Sequence, residues 1–321
     1  MELTMPQTMR VSNSRDYNSI LKNKGKVFIL MHRILQAESL LFLKKRKNKQ
    51  KYSDDLILSM YMVAYVLHLP LRQTCGFFED YIEQNRIIVQ IPDYTTLCRR
   101  LKKLTVYISQ AKRKDWFKGK ELAIDSTCLN IYSNTGGHSK DFSFTRKHKG
   151  YDQVRKMHVA LDIQSKEVDE LICSTWPMAD HIGFLGLVDQ LADKYMIESI
   201  RADRAYDKTC CYQACHDCDI EAIIPPFLNA VKKASEIFIS RNKAIDIMSD
   251  YETYEEGLSA WKKETGYSKR SLVEAFFSRF KRTFGFHLRS KSEANREQEM
   301  RIKCKIMNYF ARLGMPTFKL A

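Results

Sequence analysis

Residues 122–132 read LAIDSTCLNIY. Apolar and β-branched residues alternate through this run, and Gly136-Gly137 closes it, which predicts a β-strand carrying one carboxylate, Asp125. The texture continues downstream. Residues 156–163 predict a second strand, Gln164-Ser165-Lys166 a turn, and residues 168–176 a third strand, so the three include a hairpin. Residues 180–194 read as a helix. Residues 197–202 (IESIRA) form another strand that ends at Asp203. Residues 208–216 are helical, and the strand at 220–224 is stopped by Pro225-Pro226. From Tyr267 the chain is helical to about Arg312, with a break near residues 285–292. The order β-β-β-α-β-α-β-α predicts an α/β domain built on a mixed sheet.

Upstream the texture is helical. Residues 56–71 hold no charge and follow Ser53-Asp54-Asp55, a good helix start; the run is shorter than a membrane span and contains His68 and Pro70, which predicts a buried helix. A second helix follows Pro70. After the break at residues 91–94 a third covers 95–104, where Leu97, Leu101 and Leu104 share one face and Arg99, Arg100, Lys102 and Lys103 take the others. An apolar back and a basic front, behind two short helices, suit a helix-turn-helix element that enters a major groove; an ordinary amphipathic surface helix has the same pattern.

Charge divides the chain in the same place. Residues 1–120 hold 23 basic and 10 acidic residues, the remainder 30 and 28, so nearly all of the formal +15 lies in the first third. A basic segment on a near-neutral remainder points to a nucleic-acid-binding module attached to something else. The strongest basic run, residues 44–51 (KKRKNKQK), reads equally as a solvated linker or a phosphate-contacting arm. No apolar leader marks export, and nine cysteines without an even framework suit thiols in a reducing compartment.

Two carboxylates sit in apolar strand settings, Asp125 after Leu122-Ala123-Ile124 and Asp203 after Ile200-Arg201-Ala202. Such a group is costly unless paired, protonated or bound to metal; Asp203 also stands where it can cap the next turn. A third acid, Glu274, lies on an apolar helix beside Leu272, Val273, Phe276, Phe277 and Phe280. Arg270, Glu274 and Lys281, at i, i+4 and i+11, fall along one face of that helix. Its bland explanation is an intrahelical Arg270–Glu274 pair. Its functional one is an anionic or metal partner.

The spacing Tyr267-x2-Arg270-x3-Glu274-x6-Lys281 resembles the Y-(2)-R-(3)-E-(6)-K signature of bacterial DDE-type insertion-sequence transposases. Ile124-Asp125-Ser126-Thr127 resembles that family's first-acid strand, and Ala202-Asp203-Arg204-Ala205-Tyr206-Asp207 its second-acid motif, usually D-G-A-Y-D. Ala222-Ile223-Ile224-Pro225-Pro226, Arg241-Asn242 and Arg15-Asp16-Tyr17-Asn18 extend the likeness over most of the chain. One departure is Arg204 where glycine is usual; a positive φ there would strain any residue with a Cβ.

The resemblance implies an α/β, ribonuclease-H-like mixed-sheet catalytic domain at residues 116–321, preceded by a helical, basic, helix-turn-helix-like DNA-binding region at 1–115. It implies a catalytic and metal-binding triad of Asp125, Asp203 and Glu274. Two Mg²⁺ ions would be held there, with Mn²⁺ able to substitute. Hard ions suit carboxylate oxygen, and a pair of them stabilises both the attacking and the departing oxygen at phosphorus. Water would cut the transposon end, and the released 3′-hydroxyl would then attack target DNA. Arg270, Lys281 and Tyr267 would grip phosphates near the cut, and Arg99, Arg100, Lys102 and Lys103 would contact DNA further away. The partners implied are double-stranded DNA, as terminal inverted repeats and target, and a second copy of the chain in an end-paired dimer, with no membrane. The location implied is the cytoplasm of a bacterium, at the nucleoid.

The same acids would also serve a metal-dependent nuclease without strand transfer. A DNA-binding regulator with a dead core would lack one of them, and all three are present. A zinc site on Cys210, Cys211, Cys215 and Cys218 competes with a simpler account, since Cys211, Cys215 and Cys218 recur at helical spacing and no second cysteine pair stands at zinc spacing.

Overall fold

A computed structural model describes residues 9–25, 27–43, 51–109, 119–131, 153–315 and 318–320. Most of the basic run at 44–51 and the Gly136-Gly137 turn lie outside the described residues. The chain divides into two compact units, one made of Met1–Leu104 with Ile306–Ala321, the other of Thr105–Lys305.

In the first unit a short strand β1 (Met9–Val11) precedes five helices: α1 (Ser14–Lys24), α2 (Val27–Leu43), α3 (Asp54–Val66), α4 (Leu71–Gln84) and α5 (Tyr94–Leu101). The start of α3 is set by Ser53, whose Oγ accepts a hydrogen bond from the Leu56 N–H at 3.0 Å. Its apolar residues go all round the helix because it is buried from Leu56 to Tyr65 with one interruption. His68, at φ +57°, and Pro70 turn the chain into α4. No single helix among the described residues is long and apolar enough to cross a membrane; α3 and α4 qualify only jointly, bent by 112°. Asp93 caps α5 by accepting from the Thr96 N–H at 2.6 Å. Leu97 and Leu101 are buried on its inner face, as their spacing predicts; the helix ends at Leu101, short of the expected residue 104, and Leu104 is buried beyond it.

The second unit is an α/β domain. Its strands are β2 (Lys120–Ile131), β3 (Val154–Asp162), β4 (Val168–Thr175), β5 (Ile197–Arg201), β6 (Glu221–Ile223) and β7 (His287–Leu288). The main path runs β4-β3-β2-β5-β6, with β7 pairing the far end of β2. The β2–β3 and β3–β4 pairs are antiparallel, whereas β2–β5 and β5–β6 are parallel. This is the mixed sheet that the strand and helix order of the sequence predicts. Between the strands lie α6 (Asp180–Ala192) and α7 (Thr209–Asp217); after them come α8 (Ile239–Ser249), α9 (Tyr254–Thr265), α10 (Ser271–Phe284) and α11 (Glu293–Arg312). A final strand, β8 (Phe318–Leu320), belongs to the first unit, where it pairs antiparallel with β1.

The strand pattern of the sequence and the structure agree to within two residues at most ends. The helical stretch after Tyr267 differs in one respect: Tyr267–Arg270 is a 3₁₀ turn, and the α-helix starts only at Ser271. Leu122, Ile124 and Ala160 pack with Phe184, Leu187 and Leu191 of α6 and with Cys211 and Cys215 of α7 in one core. Cys211 and Cys215 are thus packing residues, and burial pushes the Cys215 thiol up to about 12.

Gly183 lets α6 lie flat on β3. A Cβ there would fall 2.4 Å from the ring of His158, which is itself fully buried. We predict that Gly183→Ala destabilises the protein by about 1–3 kcal/mol, the usual cost of overpacking, seen as a lower urea midpoint at unchanged slope. An unaltered midpoint would show that the His158 ring yields.

Candidate active site

β2 and β5 are parallel neighbours with Ala123 opposite Arg201; Asp125 lies two residues further along β2, and Asp203 two residues past the end of β5. Asp203 follows the end of β5 and caps the 3₁₀ turn Arg204–Tyr206, its Oδ1 accepting from the Ala205 N–H at 2.8 Å. The capping role and the strand-end position therefore coexist. Arg204 lies within this turn and is not among the residues with positive φ, so the departure from glycine brings no backbone strain.

The third acid is carried in by a turn that both strands hold. Gly266, at φ +61°, ends α9 in the left-handed region and gives its N–H to the Lys262 carbonyl. Arg201 of β5 then donates from Nε to the Gly266 carbonyl and from Nη2 to the Thr265 carbonyl, both at 3.2 Å. Glu121 of β2 pairs with Arg201 at 2.9 Å and with Lys269 at 3.1 Å. The turn Tyr267–Arg270 is thereby fixed beside Asp125 and Asp203. Tyr267 sits against buried Trp261, with ring centroids 5.1 Å apart, and the Arg270 guanidinium lies 5.9 Å from its ring.

Arg270 is the hub. Its Nη1 donates to Asp125 Oδ2 at 3.2 Å, and its Nη2 pairs with Glu274 Oε1 one turn along α10. The intrahelical Arg270–Glu274 pair is therefore present, and the same guanidinium also reaches across to the strand. Asp203 adds to the negative surroundings that hold the Arg270 guanidinium protonated. Burial pushes the Asp125 carboxyl up to about 6. The Ser126 N–H, 2.7 Å from Oδ1, and Arg270 oppose that rise, and the charges of Asp203 and Glu274 add to it.

Lys281 is taken elsewhere. It is half-buried beside Cys128, three residues beyond Asp125 on β2, with Nζ 5.8 Å from the Phe286 ring, and burial lowers its pKa. No ion pair of Lys281 with an acid occurs among the described residues. The four cations of the N-terminal helix belong to the first unit. Arg100 is engaged by Asp54 and by the Tyr52 carbonyl at 3.2 Å, whereas Arg99, Lys102 and Lys103 are exposed around the end of α5.

Three residues near Asp125 escaped the sequence reading, Asp180, Lys156 and His158. Asp180, the first residue of α6, accepts from Ser126 Oγ at 2.9 Å and from Lys156 Nζ at 3.1 Å. His158 Nδ1 is 3.9 Å away, and burial pushes that imidazole down to about 4. Only the helix-start signal at residue 180 was visible beforehand.

The donor set suits a divalent cation. One guanidinium bonds Asp125 and Glu274, Asp203 adds to their negative field, and carboxylate oxygens are hard ligands. The Tyr206 hydroxyl, buried and without a hydrogen-bond partner among the described residues, lies in the field of Asp125, Asp180 and Asp203, which together with burial push its pKa up. Among the described residues no three His, Cys, Asp or Glu side chains already form a closed metal-binding group, and between Asp125 and Glu274 stands Arg270.

Comparison with known proteins supplies a family. A family model described as "Transposase DDE domain" matches residues 116–309, more than half of the chain, and a second with the same description matches residues 22–134. Among solved structures, the Drosophila P element transposase strand transfer complex aligns at 13% identity and TM-score 0.36, over 87% of this chain and 70% of that one. The intasome of simian T-cell lymphotropic virus in complex with PP2A regulatory subunit B56 gamma aligns at 12% identity and TM-score 0.24, over 52% and 54%.

The raised Asp125 pKa makes a stability prediction for the metal-free protein. Its folded value, about 6, exceeds the ordinary 3.8, so the folded state holds the proton more tightly and stability falls as pH rises from about 4 to about 6. Above that window the penalty is at most on the order of 3 kcal/mol. Asp125→Asn should therefore melt higher than the parent in chelator at pH 7.5, with the gap closing below about pH 4. A pH-independent gap would show that the carboxyl titrates normally.

Proposed function

The chain belongs to the transposase DDE domain family, whose members are metal-dependent DNA-cutting and DNA-joining enzymes, and on that premise we propose that it binds transposon ends, cleaves them and transfers their 3′-hydroxyl groups to target DNA. The observation that carries the proposal is the Arg270 guanidinium that bonds both Asp125 on β2 and Glu274 on α10, with Asp203 two residues past the end of β5, the parallel neighbour of β2.

Asp125, Asp203 and Glu274 hold the divalent ions, two Mg²⁺ with Mn²⁺ able to replace them. When bound, the ions stabilise the oxygens that attack and leave in an in-line displacement at phosphorus. The chain supplies the remainder. The sheet fixes two acids, and the pinned turn before α10 fixes the third. Arg270 offers a planar fork to a phosphate near the cut, beside Tyr267, and Lys281 offers a point charge further along α10. Cleavage by water and joining by a 3′-hydroxyl are the same displacement with different nucleophiles, so one site serves both. Pairing two ends requires two copies of the chain. The first unit provides end recognition, with Arg99, Lys102 and Lys103 facing solvent on α5 and just after it, and Arg100 bracing the helix from within.

Asp125→Asn, Asp203→Asn and Glu274→Gln each keep side-chain shape and remove the charge that holds metal. Each should lower cleavage and joining of labelled terminal repeats by at least about 100-fold, more than loss of a residue behind a ligand costs, while filter binding of the same DNA persists. Strand transfer by any of these variants near the parental rate would remove that acid from the triad. Cleaved ends that are never joined by the parent chain would instead favour a nuclease.

Replacing Arg99, Lys102 and Lys103 together by alanine should flatten the dependence of log K on log salt by about 0.9 for each phosphate no longer neutralised. An unchanged slope would place end recognition elsewhere.

A further inference from the structure

We propose that Arg270 competes with divalent metal for Asp125 and Glu274, so that metal binding hands its guanidinium to a DNA phosphate and the two ligands bind cooperatively. The inference rests on the triad reading given above and adds a regulatory step to it.

The geometry sets up the competition. One guanidinium bridges two of the three acids, with Nη1 3.2 Å from Asp125 Oδ2 and Nη2 paired with Glu274 Oε1. Asp125 has its other oxygen engaged by the Ser126 N–H at 2.7 Å, so a cation arriving at this carboxylate meets the oxygen that Arg270 uses. Two positive centres on the same carboxylates repel, most strongly at Asp125, since Glu274 is 53% exposed. The Asp125 and Arg270 side chains are only 18% and 16% exposed.

Where the arginine goes is also constrained. Its backbone belongs to the turn that Arg201 and Lys269 tie to β5 and β2. Release therefore swings the side chain without moving the turn, and the guanidinium stays beside the acids with its fork open. A phosphate takes such a fork bidentately. Each ligand thus removes an obstacle to the other: metal frees Arg270 for phosphate, and phosphate draws Arg270 off the carboxylates. Such coupling is reciprocal by necessity. Lys281 gives the contrast. It lies beside Cys128 with no acid paired to it among the described residues, so it strengthens DNA binding without coupling it to metal.

The test is Mn²⁺ binding by titration calorimetry on the full chain, alone and with a short duplex of arbitrary sequence, since binding to phosphates is sequence-independent. The parent should bind Mn²⁺ about tenfold more tightly once the duplex is present, a coupling of ordinary size. Arg270→Gln should bind Mn²⁺ about tenfold more tightly than the parent without DNA, and the duplex should then add little. Arg270→Lys keeps a cation but cannot bridge both carboxylates, and should fall between the two. Lys281→Gln should leave the DNA-free Mn²⁺ affinity unchanged. Melting of each variant in chelator checks its fold.

The inference is overturned if Arg270→Gln and Arg270→Lys bind Mn²⁺ no more tightly than the parent, or if the duplex leaves the parent's affinity unaltered. Asp125→Asn and Glu274→Gln separate the two readings. Parental Mn²⁺ affinity in these variants sinks the triad itself, whereas weakened affinity there with no gain in the Arg270 variants sinks only the competition.

Discussion

The arrangement of the site depends on what the Arg201 side chain holds. Asp125 on β2 and Asp203 just past β5 are brought to neighbouring chain segments for a simple reason, since β2 and β5 are neighbours. The third is on a helix far along the chain, and something must bring the start of that helix to the sheet. Arg201, two residues before Asp203 and nearly buried, binds Glu121 on one side and the last carbonyls of α9, those of Thr265 and Gly266, on the other. Those carbonyls have no partner within their helix, so the same guanidinium ends α9 and aims the turn that follows. Removing one partner of such a buried pair typically costs about 3–5 kcal/mol, and here the turn carrying Arg270 would lose its anchor as well.

Arg204, on the other flank of Asp203, makes the same kind of connection. Its guanidinium lies 5.3 Å from the ring of Tyr254, the first residue of α9, and bonds the Tyr254 hydroxyl, which donates to the Pro226 carbonyl at 3.3 Å. Two arginines flanking the second acid therefore hold α9 at both ends, Arg204 at Tyr254 and Arg201 at Thr265. This gives the departure from glycine a physical meaning. The position lies in a 3₁₀ turn that tolerates a side chain, and this chain uses the side chain as a brace.

Much of the sheet was legible in the sequence because period-two alternation and turn residues are local signals. The strands on either side of Gln164-Ser165-Lys166 and the strand before Pro225-Pro226 are read that way. The helices α8 and α9 are not, since residues 239–265 mix polar and apolar types without a long apolar stripe, and their packing follows from Trp261 and Met248 meeting Ile223 of the sheet. In the site, Asp125 and Asp203 stood out as carboxylates in apolar strands, and Glu274 as one on an apolar helix. The Asp125–Arg270 bond did not, because spacing along one helix reveals partners at i+4 and nothing about a strand distant in sequence. The contacts among Ser126, Asp180 and Lys156 were hidden for the same reason.

Lys281 shows how far helical spacing can be trusted. Sharing a face with Glu274 says which way a side chain points, not what it meets. Seven residues of helix advance about 10 Å, and three residues of strand, from Asp125 to Cys128, advance about 10 Å as well. As α10 lies along β2, Glu274 is delivered to Asp125 and Lys281 to Cys128, a full step further out. On one strand of a duplex that offset covers about three phosphates, at 3.4 Å each along the axis. On the reading proposed above, the acids and Arg270 thus address the phosphate being cut, and Lys281 a phosphate outside the reacting group. Among the described residues Lys281 has no ion pair with an acid, so its ammonium is open to a phosphate, and such an anion would offset the burial that lowers its pKa.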